Sequence, residues 1–215
     1  MKKVCLFAIL LMASLVGTAQ THVNLVAAPQ FNHRIGARAG VDVDVALGKS
    51  NFSFVPGLYW SMRHSNFSAI QISFGGPAKP VEVNDLSHWL TVPLRFSYTI
   101  NKGDENFQAQ FLVGPYLALG LAGTTTCKDH ETGTVYPKAD SFSKKGYYDD
   151  RFDVGLNSGI NFIIKEHLVL GVFSELGFRP LSNVMRFADT FFLSGAVQNI
   201  FTLNFGGGIN IGYRF

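Results

Sequence analysis

The chain has 215 residues, only 15% of them charged, and it is rich in glycine (22) and phenylalanine (20), too little charge to clothe a conventional water-exposed surface. Its formal net charge is +3 with no basic cluster, so a nucleic-acid partner has no electrostatic footprint here. Beyond the N-terminal 19 residues no uncharged apolar run reaches the ~18 residues of a membrane-crossing helix, which excludes a helical membrane protein.

Residues 1–19 carry Lys2 and Lys3, an apolar run from Val4 to Val16, and then Gly17, Thr18 and Ala19. This is the pattern of a secretory signal peptide cut before Gln20; the run is too short for an N-terminal anchor, and Cys5 lies inside it rather than after a lipoprotein cleavage motif. The expected mature unit is a single domain over residues 20–215. Its one cysteine, Cys127, has no partner within the chain, so a disulfide framework is excluded and Cys127 is a free thiol or an intermolecular handle.

The rest of the chain reads as strands with a period of two. Residues 22–28 give a short first strand with Val23, Leu25 and Ala27 on one face. Residues 34–47 set Ile35, Ala37, Ala39, Val41, Val43, Val45 and Leu47 against Gly36, Arg38, Gly40, Asp42 and Asp44, and no helix would place two aspartates between three valines. After the turn at 48–51, Phe52, Phe54, Leu58, Trp60 and Met62 alternate with Ser53, Gly57, Tyr59, Ser61 and Arg63. A second hairpin joins residues 90–100, with Arg95 on the polar face, to 107–120 across the turn NKGDEN. A third joins 152–164 to 168–178 across Lys165, Glu166 and His167, with Asp153, Asn157, Asn161, Glu175 and Arg179 on the polar side.

The last strand places Phe201, Leu203, Phe205, Ile209, Ile211, Tyr213 and Phe215 on one face, and Asn204, Asn210 and Arg214 on the other. Long polar or irregular stretches separate the hairpins at about 64–88, 123–149 and 180–199. Tight turns on one side and long loops on the other are the habit of outer-membrane barrels, with the tight turns in the periplasm. The expectation is therefore an all-β protein, an eight-stranded antiparallel transmembrane β-barrel in the bacterial outer membrane, monomeric and with lipid as its surroundings. A soluble lipocalin-like barrel would need a charged exterior that neither face supplies. Pro56, Pro93 and Pro115 fall inside strand patterns, and each is expected to mark a bulge or a local break in pairing.

The closing alternation, with Tyr213 and a last aromatic at Phe215, resembles the C-terminal signal read by the barrel-assembly machinery. Several stretches together resemble the PorT-type outer-membrane β-barrel family: LTVPLRFSY at 90–98, VGPYLALGL at 113–121, FDVGLNSGINF at 152–162, ELGFRPLSNV at 175–184, and FTLNFGGGINIGYRF at the end. That resemblance implies a barrel from about Ile35 onward and, through the founding member, an accessory role in type IX protein secretion. It brings no residue with an assigned job.

Eight strands enclose a space that side chains fill, so porin function is disfavoured. The inward charges Arg38, Asp42, Asp44, Arg63, Arg95, Asp153, Glu175, Arg179 and Arg214 are near balance and are expected to form a structural ion-pair interior, with Arg38, Asp42 and Asp44 the first place to look for an ion path. For catalysis, Ser61 and Ser65 flank His64, but no GxSxG context surrounds them. Cys127, Asp129, His130 and Glu131 cluster without a zinc spacing. No catalytic residue, metal or cofactor is expected. Tyr136, Tyr147 and Tyr148 suit either a recognition surface or an aromatic girdle, and the external loops are the place for an extracellular or secretion partner.

Overall fold

The computed structural model describes residues 21–32, 34–71, 79–143, 148, 150–180 and 203–215, with all their side chains except those of 67–71, 79, 179, 180, 203 and 204. The signal-peptide expectation at 1–19, Tyr147 and the expected loop at 181–199 lie outside the described residues. Among the described residues nine strands follow in order: β1 Thr21–Asn32, β2 Arg34–Ala46, β3 Phe52–Gln71, β4 Lys79–Ile100, β5 Phe107–Asp129, β6 Ala139–Asp140, β7 Phe152–Ile164, β8 Leu168–Pro180 and β9 Leu203–Arg214. All but β6 form one antiparallel sheet in the order β4-β3-β2-β1-β9-β8-β7-β5, and pairing of β4 with β5 closes it into an eight-stranded barrel. Closure pairs every edge, which an element surrounded by hydrocarbon must do because no water is there to satisfy its backbone.

The period-two pattern sorts the side chains as a bilayer requires. Leu25, Phe31, Ile35, Leu58, Phe96, Phe111, Val113, Val172, Ile209 and Ile211 stand exposed on the outer wall, while Asn24, Arg38, Asp42, Ser61, Arg95, Gln110, Asn157 and Glu175 are buried inside. Leu25 faces Tyr213 across the β1–β9 seam, so the last strand closes the barrel against the first. The turns at 47–51, 101–106 and 165–167 share one end. Lys165 and Glu166 both have positive φ, and His167 N–H bonds Ile164 O at 3.2 Å, the primed turn that matches strand twist.

Two features differ from expectation, and one, the break in pairing at the prolines, meets it. The first strand has 12 residues where its weak sequence signal spans only 22–28, reaching Asn32, and a single position separates it from β2, so one external connection is as short as the periplasmic turns. Pairing lapses beside Pro56 on the β2 side, Pro93 on the β3 side and Pro115 on the β4 side, and likewise beside Pro29 on the β9 side, but the register is unchanged across each lapse. A missing N–H removes a bond without inserting a residue. The register shift of β4 with β5 lies elsewhere: Trp89 faces Gly120 and His88 faces Ala122, leaving Leu121 as the extra residue.

The largest difference is in length. Among the described residues β3, β4 and β5 run for 20, 22 and 23, against 12 or 13 for the other five barrel strands. About 9–11 tilted residues cross a bilayer, so these three overhang it on the external side by roughly ten residues each. The stretch at 64–88, expected to be irregular, is largely this overhang, and β3 and β4 stay in register from Ser61↔Trp89 to Gln71↔Lys79. Of 123–149, β5 takes 123–129 and β6 takes 139–140, while 130–138 is turn and irregular backbone, as expected, apart from a bridge between Val135 and Lys128.

Candidate functional site

The interior of the barrel is a column of paired charges. Arg38 of β2 donates through Nη1 to Glu175 Oε1 of β8 at 2.9 Å, and both side chains are almost wholly buried. Arg63 of β3 reaches Asp153 Oδ2 of β7 at 3.3 Å and Glu175 Oε2 at 3.4 Å. Arg95 of β4 pairs with Asp42, which also accepts from the Tyr59 hydroxyl. Toward the periplasm, Arg214 donates to Asp44 Oδ2 at 2.8 Å and to Asn24 Oδ1 at 3.0 Å, while Gln110 Nε2 donates to the same Asp44 oxygen at 2.7 Å. The carboxylates are further held by Tyr116 Oη on Asp153 at 2.9 Å and Asn157 Nδ2 on Glu175 at 3.3 Å.

Four arginines thus meet four carboxylates, the only arrangement in which buried ions avoid a large desolvation penalty. Arg38 does not pair with Asp42 or Asp44, its neighbours in sequence. Positions four apart on one strand share a face but stand about 13 Å from each other, so partners across the lumen are closer. The side chain of Arg179 lies outside the described ones.

Aromatic rings fill the remaining space. The Arg38 guanidinium lies 3.7 Å from the Tyr59 ring centroid and 4.3 Å from that of Phe173, and Arg63 lies 4.7 Å from Trp89. Trp89, Arg63, Arg95, Tyr59 and Tyr116 are each fully buried, so the lumen is packed rather than open. A cavity of about 1190 Å³ remains at the periplasmic end, lined by His22, Asp44, Lys49, Lys102, Glu166 and Arg214 among others. Trp89 and Phe173 were not singled out in the sequence, because an aromatic at an inward position breaks the polar-inside pattern that identifies such strands.

The residues considered for chemistry are separated by the pleat. Ser61 and Ser65 are buried inside the wall, whereas His64 points outward and shares a hydrogen bond with Asn84 at 3.0 Å, so no Ser/His pair forms. Asp129 accepts from the Glu131 and Thr132 N–H groups at 2.9 Å each, which shapes the turn after β5. Among the described residues no group of three potential metal ligands comes together. Cys127 is half-buried and unpaired, and burial pushes its thiol above the usual range. Tyr148 is buried against Trp89 and Phe142 instead of being offered to solvent.

At the C-terminal end, Tyr213 and Phe215 both face outward; their rings meet at 4.9 Å, His167 stacks on Tyr213 at 5.2 Å, and the Phe215 N–H bonds Val23 O at 2.9 Å.

A closed antiparallel barrel with an apolar outer wall, a charge-paired lumen and short turns at one end is a small outer-membrane barrel. The chain belongs to the outer membrane protein beta-barrel domain family, whose model matches residues 13–183. No curated protein matches the sequence. Among solved structures it is similar to the N-terminal β-barrel domain of Pseudomonas aeruginosa OprF, at 9% identity and a TM-score of 0.35 over 91% of this chain and 96% of that one. It is also similar to Ail, the attachment invasion locus protein of Yersinia pestis, crystallised with the heparin analogue sucrose octasulfate, at 9% identity and a TM-score of 0.39 over 91% and 96%. Neisserial surface protein A is a third, at 8% identity and 0.33 over 90% and 94%.

Proposed function

We propose that the protein is a non-catalytic, monomeric barrel that presents a rigid recognition surface outside the cell. The observation that carries this reading is the contrast between a lumen packed with ion pairs and rings and an overhang of three paired strands above the bilayer, β3 and β4 in unbroken register and β4 and β5 in register beyond the extra residue at Leu121. A packed lumen offers no path for solute, whereas an ordered external sheet offers a fixed contact surface at little entropic cost. The test is site-specific photocrosslinking in living cells, with the probe at Leu121 or Val135 on the overhang and at Phe107 on the lipid wall. A discrete adduct at the external positions alone, lost when the overhang is trimmed, is expected. Lipid adducts at every position, from a barrel verified at the surface, would sink the reading.

The PorT-type resemblance supports a narrower version, in which that partner belongs to a secretion assembly. Deletion should then strand exported cargo in the periplasm, and normal export would remove this version while leaving the first intact. The edge-on pair of Tyr213 and Phe215 on the closing strand supports recognition by the barrel-assembly machinery. Replacing both with serine should lower the amount inserted severalfold, measured as heat-modifiable migration of membrane fractions; unchanged insertion would rule that out.

A further inference from the structure

The external mouth of the barrel is closed by the chain itself. After β5 the backbone doubles back, and Ala139 and Asp140 pair with Thr125 and Thr124 on the edge of β5 that β7 leaves free. The next two side chains sit in seats made by glycine. A Cβ at Gly120 would come within 2.2 Å of the Phe142 ring, and one at Gly123 within 2.4 Å of Ser141 Oγ. Phe142 stacks on Tyr148 at 5.5 Å, and both rings meet Trp89 edge-on, at 5.1 and 4.9 Å. From outside, Arg151 donates to Asp140 Oδ2 at 3.1 Å and lies 4.9 Å from the Phe142 ring centroid. Residues 139–143 with Tyr148 therefore form a cap over Trp89.

Beneath this cap lies a carboxylate that the ion-pair column does not use. Asp85 of β4 is buried, and Thr125 Oγ1 donates to its Oδ1 at 2.7 Å. The hydroxyls of Ser141 and Ser87 flank it, but its Oδ2 has no hydrogen-bond partner of good geometry, and neither does Ser141 Oγ. From β3 the charge that reaches it is His64, held by Asn84 on the outer face. Arg63 is held lower in the lumen by Asp153 and Glu175, Asp140 is held by Arg151, and the Tyr148 hydroxyl meets Ser87 Oγ at 3.5 Å.

We propose that the cap is a pH-operated latch on the external mouth, closed when Asp85 is protonated and loosened when it ionises. A protonated carboxyl both donates and accepts, so it can satisfy its own Oδ2 and the Ser141 oxygen together. An ionised one only accepts, so every surrounding hydroxyl must turn to donate to it, and it is a buried charge with no arginine or lysine among the described residues in hydrogen-bond reach. Asp85 lies five positions before Leu90, where the lipid-facing alternation of β4 begins, so it is outside the bilayer. Burial, opposed by the hydroxyls and by His64, pushes its carboxyl above the ordinary carboxylate range. A group whose pKa is raised in the capped state contributes fully below the free carboxyl value of about 4, and its contribution fades as pH rises through the raised value.

Trp89 under the cap reports its state. The sequence has two tryptophans, so Trp60→Phe leaves Trp89 as the sole emitter in the full barrel folded in detergent. Acrylamide quenching should rise severalfold from about pH 4 to about pH 8. Asp85→Asn should stay quenched little at every pH, Gly120→Val should be quenched strongly throughout as the open reference, and His64→Gln should keep the pH response with its midpoint moved to higher pH. Asp85→Ser gives a second reading that does not depend on how Asn packs. A flat parent profile, a pH response that survives both Asp85 variants, or one abolished by His64→Gln would overturn the latch. Heat-modifiable migration confirms in each case that the barrel itself is folded.

Discussion

The lower and upper halves of β3, β4 and β5 belong to the same strands but obey opposite rules. Within the bilayer the outer wall is apolar, with Phe96, Val113 and Leu117 exposed, and the inner wall carries Arg95, Ser97 and Gln110. Above it the inner side carries Val81, Val83, Trp89 and Tyr148, while the outer side pairs Asn66 with Glu82 at 2.6 Å and His64 with Asn84 at 3.0 Å. The backbone is nearly indifferent; what changes is the solvent outside. Lipid demands apolar residues outward, whereas water lets them turn in against the cap. The extra residue at Leu121 falls near this change, and it shifts the inward positions of β5 from Tyr116, Ala118 and Gly120 to Gly123 and Thr125.

The strongest break of the comparison is to leave the lower half with unpaired charge. Glu175 alone satisfies Arg38 and half of Arg63, so Glu175→Leu should cost about 3–5 kcal/mol, the usual penalty for removing one partner of a buried pair. Denaturant unfolding in detergent measures this, and Glu175→Gln, which can still accept from one arginine, should cost less. A loss below about 1 kcal/mol would mean the lumen is wet enough to screen its ions. The second break is aimed at the upper half. Gly120→Val drives a side chain into the Phe142 ring; it should release the cap, seen as faster proteolysis between residues 130 and 150. Barrel unfolding should shift by no more than about 1 kcal/mol, as expected when local opening is separate from global unfolding. A large loss of barrel stability would show that the two halves fold as one unit.

The two regions also differ in how legible they are in the sequence. The lower half is read directly, because lipid on one side and a polar lumen on the other write a strict alternation into 34–47, 90–100 and 203–215. The inward set Arg38, Asp42, Asp44, Arg63, Arg95, Asp153, Glu175 and Arg214 follows from parity alone. Which arginine meets which carboxylate does not, since cross-lumen partners depend on stagger and tilt that one strand does not encode. The upper half is hidden for the reason that distinguishes it: with water outside, HSNF at 64–67 and VEVND at 81–85 no longer show a greasy outer face, and they resemble loops. Asp85 and Trp89 could have been found by extending the β4 alternation backward from Thr91, an inference that the apolar-outward rule discourages.

The mildest perturbation tests whether the halves touch across the short β1–β2 hairpin. Arg34, at its tip, approaches Glu82 of the overhang at 3.9 Å, with side chains 49% and 39% exposed. Its distance and exposure place it with surface pairs that contribute about 0.2–1 kcal/mol and fade in salt. Glu82 is also already held by Asn66 Nδ2 at 2.6 Å, so Arg34→Ala should shift unfolding by less than about 0.5 kcal/mol. It should also leave the Trp89 quenching profile unchanged. Arg38, four positions along the same strand, makes a 2.9 Å pair that is 2% and 3% exposed, so the same Arg→Ala change there should cost several times more. Equal costs at the two sites would mean that burial does not set the strength of these pairs, and the distinction between a charge-locked lumen and a solvent-tempered overhang would fail with it.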